Sequence, residues 1–262
     1  MSNYVDMEGN QSAPFNPDTL PNVSILTPIY DRKKFLALML LNVRLFQYPK
    51  EKLEWVICDS LSKDGKKGEE LFANDAEIKE CERITGVKIK YIYKNETMSI
   101  GKKRNFLAKN AKHPYLINMD SDDIYFPCYI LYSIRGLLDN KKQCCGSPEM
   151  IFLYPKHDYK ITAIRCQAMR QIHEATMCMT KKHFKRMGGY QCNSQGEGAK
   201  IVDGCNAQYF IKTECDKCMI CVCHDGNTVD KEQFFAEERV MNQAIQLDDM
   251  PHIEILKNIH LE

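Results

Sequence analysis

The sequence predicts an α/β fold: a mixed, mostly parallel sheet flanked by helices. Three observations carry that reading. Strand-like and helical patterns alternate from residue 23 to residue 119, the order that parallel βαβ units require. Three of the strand-like runs end in polar, acid-bearing segments, and in such sheets ligands bind at the carboxyl ends of the strands. Hydrophobic residues make up 44% of 262, enough for a sizeable core.

The elements follow in order. Residues 1–21 carry Pro14, Pro17 and Pro21 and read as a loose surface arm. Residues 23–27 read as a strand that Pro28 ends, and Phe35, Leu36, Met39, Leu40, Val43 and Phe46 mark a helix. Residues 53–58 form a second strand and 59–65 a loop, with a polar helix expected over 68–83. Residues 87–93 alternate as a third strand, and Ser99 caps a basic helix through Lys102, Arg104 and Leu107. Residues 115–119 make the fourth. Beyond it the signals thin: strands at 161–168 and 174–179, and a short helix from Lys181 to Met187 stopped by Gly188-Gly189. A long helix is expected over 231–247 through Phe234, Phe235, Val240, Met241 and Ile245. No linker divides the chain, so residues 22–262 are expected as one domain with halves at 22–125 and 126–262.

Lys and Arg number 36 against 35 Asp and Glu, a balance that speaks against nucleic acid as a partner. No apolar run reaches the ~18–20 residues that cross a bilayer. The first residues lack the basic start and apolar centre of a signal peptide. A soluble, cytoplasmic protein is expected, its thirteen cysteines free thiols or metal ligands rather than disulfides.

Asp120, Asp122 and Asp123 follow the fourth strand directly. Clustered carboxylates repel unless a cation lies between them, and hard Mg²⁺ or Mn²⁺ takes carboxylate and phosphate oxygens. The plainer reading is a solvated turn, which Asp and Ser favour. Three further stretches fall at the same sheet edge and favour a ligand: Thr27-Pro28-Ile29-Tyr30-Asp31-Arg32, the loop from Asp59 to Gly65, and Ser99-Ile100-Gly101-Lys102-Lys103-Arg104-Asn105. Asp59 can accept from a base N–H, Tyr30 can flank a base, and Lys103 or Arg104 can meet a diphosphate.

These segments resemble those of family 2 glycosyltransferases with the GT-A fold. Thr27 to Arg32 resembles T-P-x-Y-N-R with Asp31 in place of Asn, Gly101 to Asn105 the A-R-N segment, Asp120 to Asp123 the D-x-D-D stretch, and Gly188-Gly189-Tyr190 the G-G-F/Y of the acceptor half. The resemblance implies an inverting, Mn²⁺- or Mg²⁺-dependent transfer from a nucleotide sugar to a hydroxyl of a glycan, glycoprotein or other acceptor. The implied donor site is Thr27, Pro28, Tyr30, Asp31, Asp59, Lys103, Arg104, Asp120, Ser121 and Asp122. Asp59 would bind the nucleobase, favouring a UDP-sugar, and Asp122 the metal, with Asp120 on ribose or metal. The family base follows G-G-F/Y, often in an E-D pair; this chain has no such pair, which leaves Glu197 as the candidate base and Asp203 in reserve.

His224 is a further candidate metal ligand in a Gly-Asn loop able to close over a donor, against the commoner structural role of a lone histidine. Cys215, Cys218, Cys221 and Cys223 beside it leave a zinc-stabilised binding module as the non-enzymatic alternative, with interleaved apolar residues favouring a buried strand. A nucleotidyltransferase is the enzymatic alternative, though it more often has a glycine-rich loop after the first strand.

Overall fold

The structure, a computed structural model, describes residues 16–62, 64–165, 172–202, 208–235, 250–259 and 261. Four parallel strands form its centre: β1 (Val23–Ile29), β2 (Leu53–Leu61), β3 (Lys88–Thr97) and β4 (Tyr115–Asn118). They alternate with α1 (Leu36–Leu45), α2 (Asp75–Thr85) and α3 (Ile100–Asn110). Local chemistry sets the helix ends. The Asn74 side chain accepts from the Ala76 and Glu77 amides to start α2, and Gly86 ends it at φ 71°. Ser99 accepts from the Lys102 amide at the start of α3.

Then come β5 (Ile124–Tyr125), α4 (Tyr129–Asp139), β6 (Cys144–Gly146), β7 (Glu149–Tyr154) and β8 (Lys160–Arg165). After them lie β9 (Cys178–Thr180), α5 (Lys181–Met187), α6 (Ala199–Val202), β10 (Phe210–Lys212), β11 (Met219–Val222) and α7 (Pro251–Lys257). The main sheet has seven strands in the order β10-β6-β9-β4-β1-β2-β3, and β9 is antiparallel to both its neighbours. A second sheet has the order β5-β11-β7-β8.

Both faces of the main sheet are covered, so its central strands are buried almost throughout. Val23, Ile25, Trp55, Ile57 and Ile117 face one core with residues of α1, α2, α4 and α7. Leu26, Val56, Cys58 and Leu116 face another with Leu107 of α3, Phe184 of α5 and Ile201 of α6.

Several expectations are corrected. The helix placed at 68–83 begins only at Asp75, because the Glu69 amide is drawn to the Asp31 carboxylate and Asn74 supplies the cap. The strand placed at 174–179 opens instead as a 3₁₀ turn, Glu174–Thr176, capped by the His173 ring; only Cys178–Thr180 pairs as β9. At 231–235 the expected helix is a 3₁₀ turn, Glu232–Phe234, and extended chain, where Phe234 stacks on Phe152 and Phe235 on His157. Val240, Met241 and Ile245 lie outside the described residues, as do 1–15 of the arm and 166–168 of the strand placed at 161–168. Residues 17–20 are not loose: Lys52 Nζ donates to the Pro17, Asp18 and Leu20 carbonyls, and Leu20 is buried.

Candidate functional site

The acids after β4 are held by backbone clamps. Asn42 of α1 donates to the Asp123 carbonyl at 2.9 Å and accepts from the Tyr125 amide at 3.0 Å. The Tyr125 hydroxyl accepts from the Asp120 amide at 2.7 Å. The loop therefore has one shape, and its carboxylates face different partners.

Arg104, from α3, is 2% exposed and joins two of the site's acids. Its Nη2 donates to Asp120 Oδ1 at 2.8 Å and its Nε to Glu197 Oε1 at 3.0 Å. Burial works against this cation, but Asp120 and Glu197 hold its pKa well above the ordinary value. Its Nη1 is buried and unpartnered among the described residues.

Asp122 Oδ2 lies 3.0 Å from His224 Nε2 and 3.5 Å from Arg32 Nε. Burial alone would raise this carboxyl; the His224 hydrogen bond and the Arg32 charge outweigh it and lower the pKa to about 2. Asp123 turns away and accepts from the Val222 amide. Burial, then the charges of Asp122 and Asp120, push its carboxyl well up.

Arg32 and the acids paired above, though not His224, line a cavity of about 730 Å³ at the carboxyl edge of the main sheet. Pro28, Tyr30, Lys103, Arg104, Asp120, Ser121, Asp122 and Glu197 all lie on its wall. Lys103 Nζ donates to the Ile29 carbonyl, and burial lowers its pKa to about 8. Three expected donor residues are not on the wall. Thr27 is buried, its hydroxyl accepting from Trp55 Nε1 at 2.9 Å. Asp31, in the left-handed region at φ 49°, is exposed and bound to the Glu69 amide. Asp59 is 2% exposed and already accepts from the Tyr91 hydroxyl and the Ser60 amide. Asp203 lies outside the described residues. The loop after His224 is tied down: Arg32 Nη2 donates to the Gly226 carbonyl at 2.7 Å, and Asn227 Oδ1 accepts from the His224 amide.

Arg32, His173, Glu174 and Lys231 are among the wall residues that the sequence reading did not name as site groups. Arg32 stood inside the quoted Thr27–Arg32 segment, so its signal was present. The others come from the less regular second half and carry no local pattern. Burial lowers His173 to about 3, and burial followed by the Glu197 charge raises Glu174.

Among the described residues no three His, Cys, Asp or Glu side chains form a ready metal cage. The thiols of Cys215, Cys218, Cys221 and Cys223 are buried around β11 and do not converge on a cation, which corrects the zinc-module alternative. Asp122 on the cavity wall offers a carboxylate of the kind Mg²⁺ uses together with phosphate oxygens, whereas His224, expected as a ligand, is off that wall with its Nε2 already facing Asp122 Oδ2. No helix among the described residues is long and apolar enough to cross a membrane.

Over residues 24–196 the chain matches the family model described as glycosyl transferase family 2. No curated protein sequence matches it. Among solved structures it resembles the mannosyltransferase PcManGT from Pyrobaculum calidifontis in complex with GDP-Man and Mn²⁺. There the TM-score is 0.58 at 14% identity, over 79% of this chain and 58% of that one. It also resembles residues 1–349 of TarS from S. aureus in complex with UDP-GlcNAc, with a TM-score of 0.59 at 14% identity, over 91% of this chain and 65% of that one. The chain thus spans less than two-thirds of either neighbour. Likeness at this identity is one of fold, and the shared fold is GT-A.

Proposed function

Because this chain belongs to glycosyltransferase family 2, we propose that it transfers a sugar from a nucleotide-diphosphosugar to an acceptor hydroxyl, by direct displacement with inversion and with help from a divalent cation. One observation carries the proposal: a single cavity gathers Arg32, Lys103, the Asp120–Arg104–Glu197 network and Asp122 at the carboxyl edge of the sheet. The nucleotide-sugar complexes of the two fold neighbours support the donor class.

In this reading Tyr30 flanks the nucleobase. Lys103, which at about 8 keeps its charge at neutral pH, and Arg32 meet the diphosphate. Asp122, with Asp120 as a second carboxylate, would hold Mn²⁺ or Mg²⁺ and His224 would fix the direction of the Asp122 carboxylate; a bound ion would supply positive charge to the leaving diphosphate. Arg104 fixes the Asp120 and Glu197 carboxyl groups in direction. A carboxylate of this corner takes the acceptor proton, help worth on the order of 10²–10⁴-fold. A uracil base follows from Asp59 only if Tyr91 yields its place, so the nucleotide is an experimental question.

Thermal-shift titration with UDP-GlcNAc and GDP-Man, with and without MnCl₂, tests the reading. Ligand at a hundred times its Kd stabilises the fold by about 2.7 kcal/mol. One of the two donors should raise Tm, more with Mn²⁺ than without, and Asp122→Ala should remove the Mn²⁺-dependent part. No shift by either nucleotide sugar in wild-type protein would sink the proposal.

A further inference from the structure

Glu197 and Glu174 both line the cavity, but they stand differently in it. Glu197 is 4% exposed and bound by the buried guanidinium of Arg104. Its Oε1 is therefore already engaged by a cation. Glu174 sits on the turn before β9, where its carbonyl accepts from Asn118 Nδ2 at 2.7 Å. That bond ties it to the last residue of β4, just before the acidic loop. Among the described residues no basic side chain pairs with its carboxyl; Oε1 accepts from the Gly198 amide at 3.2 Å. Gly198 makes the room, because a Cβ there would fall 2.6 Å from Glu174 Cγ.

We propose that Glu174 is the catalytic base of the transfer, and that Glu197 is a positioning residue that acts through Arg104. The inference rests on the sugar-transfer reading above. The acceptor O–H proton passes to a Glu174 oxygen. The freed electron pair on the acceptor oxygen forms the new bond to the anomeric carbon, and the bond from that carbon to the diphosphate breaks with its pair going to the nucleoside diphosphate. Burial and the neighbouring Glu197 charge raise the Glu174 carboxyl, the direction that makes it the stronger base.

The test compares two nucleophiles that differ only in needing a base. Water must lose a proton to attack; azide need not. Full-length protein is incubated with UDP-GlcNAc or GDP-Man and Mn²⁺, with or without sodium azide, and nucleoside diphosphate release is followed. Glu174→Gln should lower the release that water supports on the order of 10²-fold or more while the azide-supported release stays near wild type. Glu197→Gln should lower both in equal proportion. Should Glu174→Gln lose its folding transition, Glu174→Asp replaces it and should lower the water reaction selectively but by less. Equal loss of both reactions in the Glu174 variant, or a changed ratio in the Glu197 variant alone, would overturn the assignment. Donor binding without release in wild type would overturn it as well, while leaving the nucleotide site standing; absence of donor binding would remove the underlying reading.

Discussion

Arg104 is the residue on which the candidate site turns. Its side chain is buried, and the two carboxylates that neutralise it come from different loops. Removing one partner of a buried pair costs about 3–5 kcal/mol, because the charges left behind stay out of water. Arg104→Met should therefore lower the unfolding free energy by an amount in that range, read as a lower urea midpoint, and an unchanged midpoint would show that the network contributes nothing to the fold. Asp120 and Asp122 were legible because they stand side by side after an apolar strand. The partnership of Arg104 with Glu197 was not, since the two are 93 positions apart and neither neighbourhood names the other. Thr27 shows the opposite error: its place in a motif pointed to the donor, whereas burial sent its hydroxyl to the Trp55 indole.

Helix α3 reaches the site through a contact with no slack. The Gly101 amide donates to the Asn193 carbonyl, and a Cβ on Gly101 would lie 1.7 Å from the Gln191 carbonyl oxygen. Gly101→Ala must push α3 away from the segment that ends in Glu197. Overpacking of this kind costs roughly 1–3 kcal/mol; calorimetry should show the lower Tm, and weaker donor binding should accompany it. An unshifted Tm would mean the two segments separate freely. Elements of the first half were readable because parallel strands covered on both faces are long apolar runs. The second half relies on strands of two to six residues such as Cys144–Gly146, too short for any period to register. Helix α4 did carry a helical signal in Ile130, Leu131, Ile134 and Leu137, yet the reading passed over it.

Across the whole molecule the buried thiols set a limit on alkaline stability. Burial raises Cys58, Cys215 and Cys223 to about 12, and raises Cys81, Cys178, Cys218 and Cys221 as well. A group whose pKa is higher folded than unfolded lends stability below its unfolded value, here 9.0, and withdraws it as pH rises toward the folded value. Lys50 and Lys103, each lowered to about 8, work the other way over part of that span but are outnumbered. Tm in reducing buffer should fall steadily above about pH 9, and a flat profile to pH 11 would contradict it. Strand β9 has a separate consequence. Cys178 and Met179 pair on both sides and so join β4, which ends in the aspartates, to β6 and the strand beyond. A caliper welded at its pivot keeps one gap between its jaws, so the spacing between the edge of β4 and the turn carrying Glu174 is a fixed gauge, and under the proposed transfer it is the gauge an acceptor would have to match.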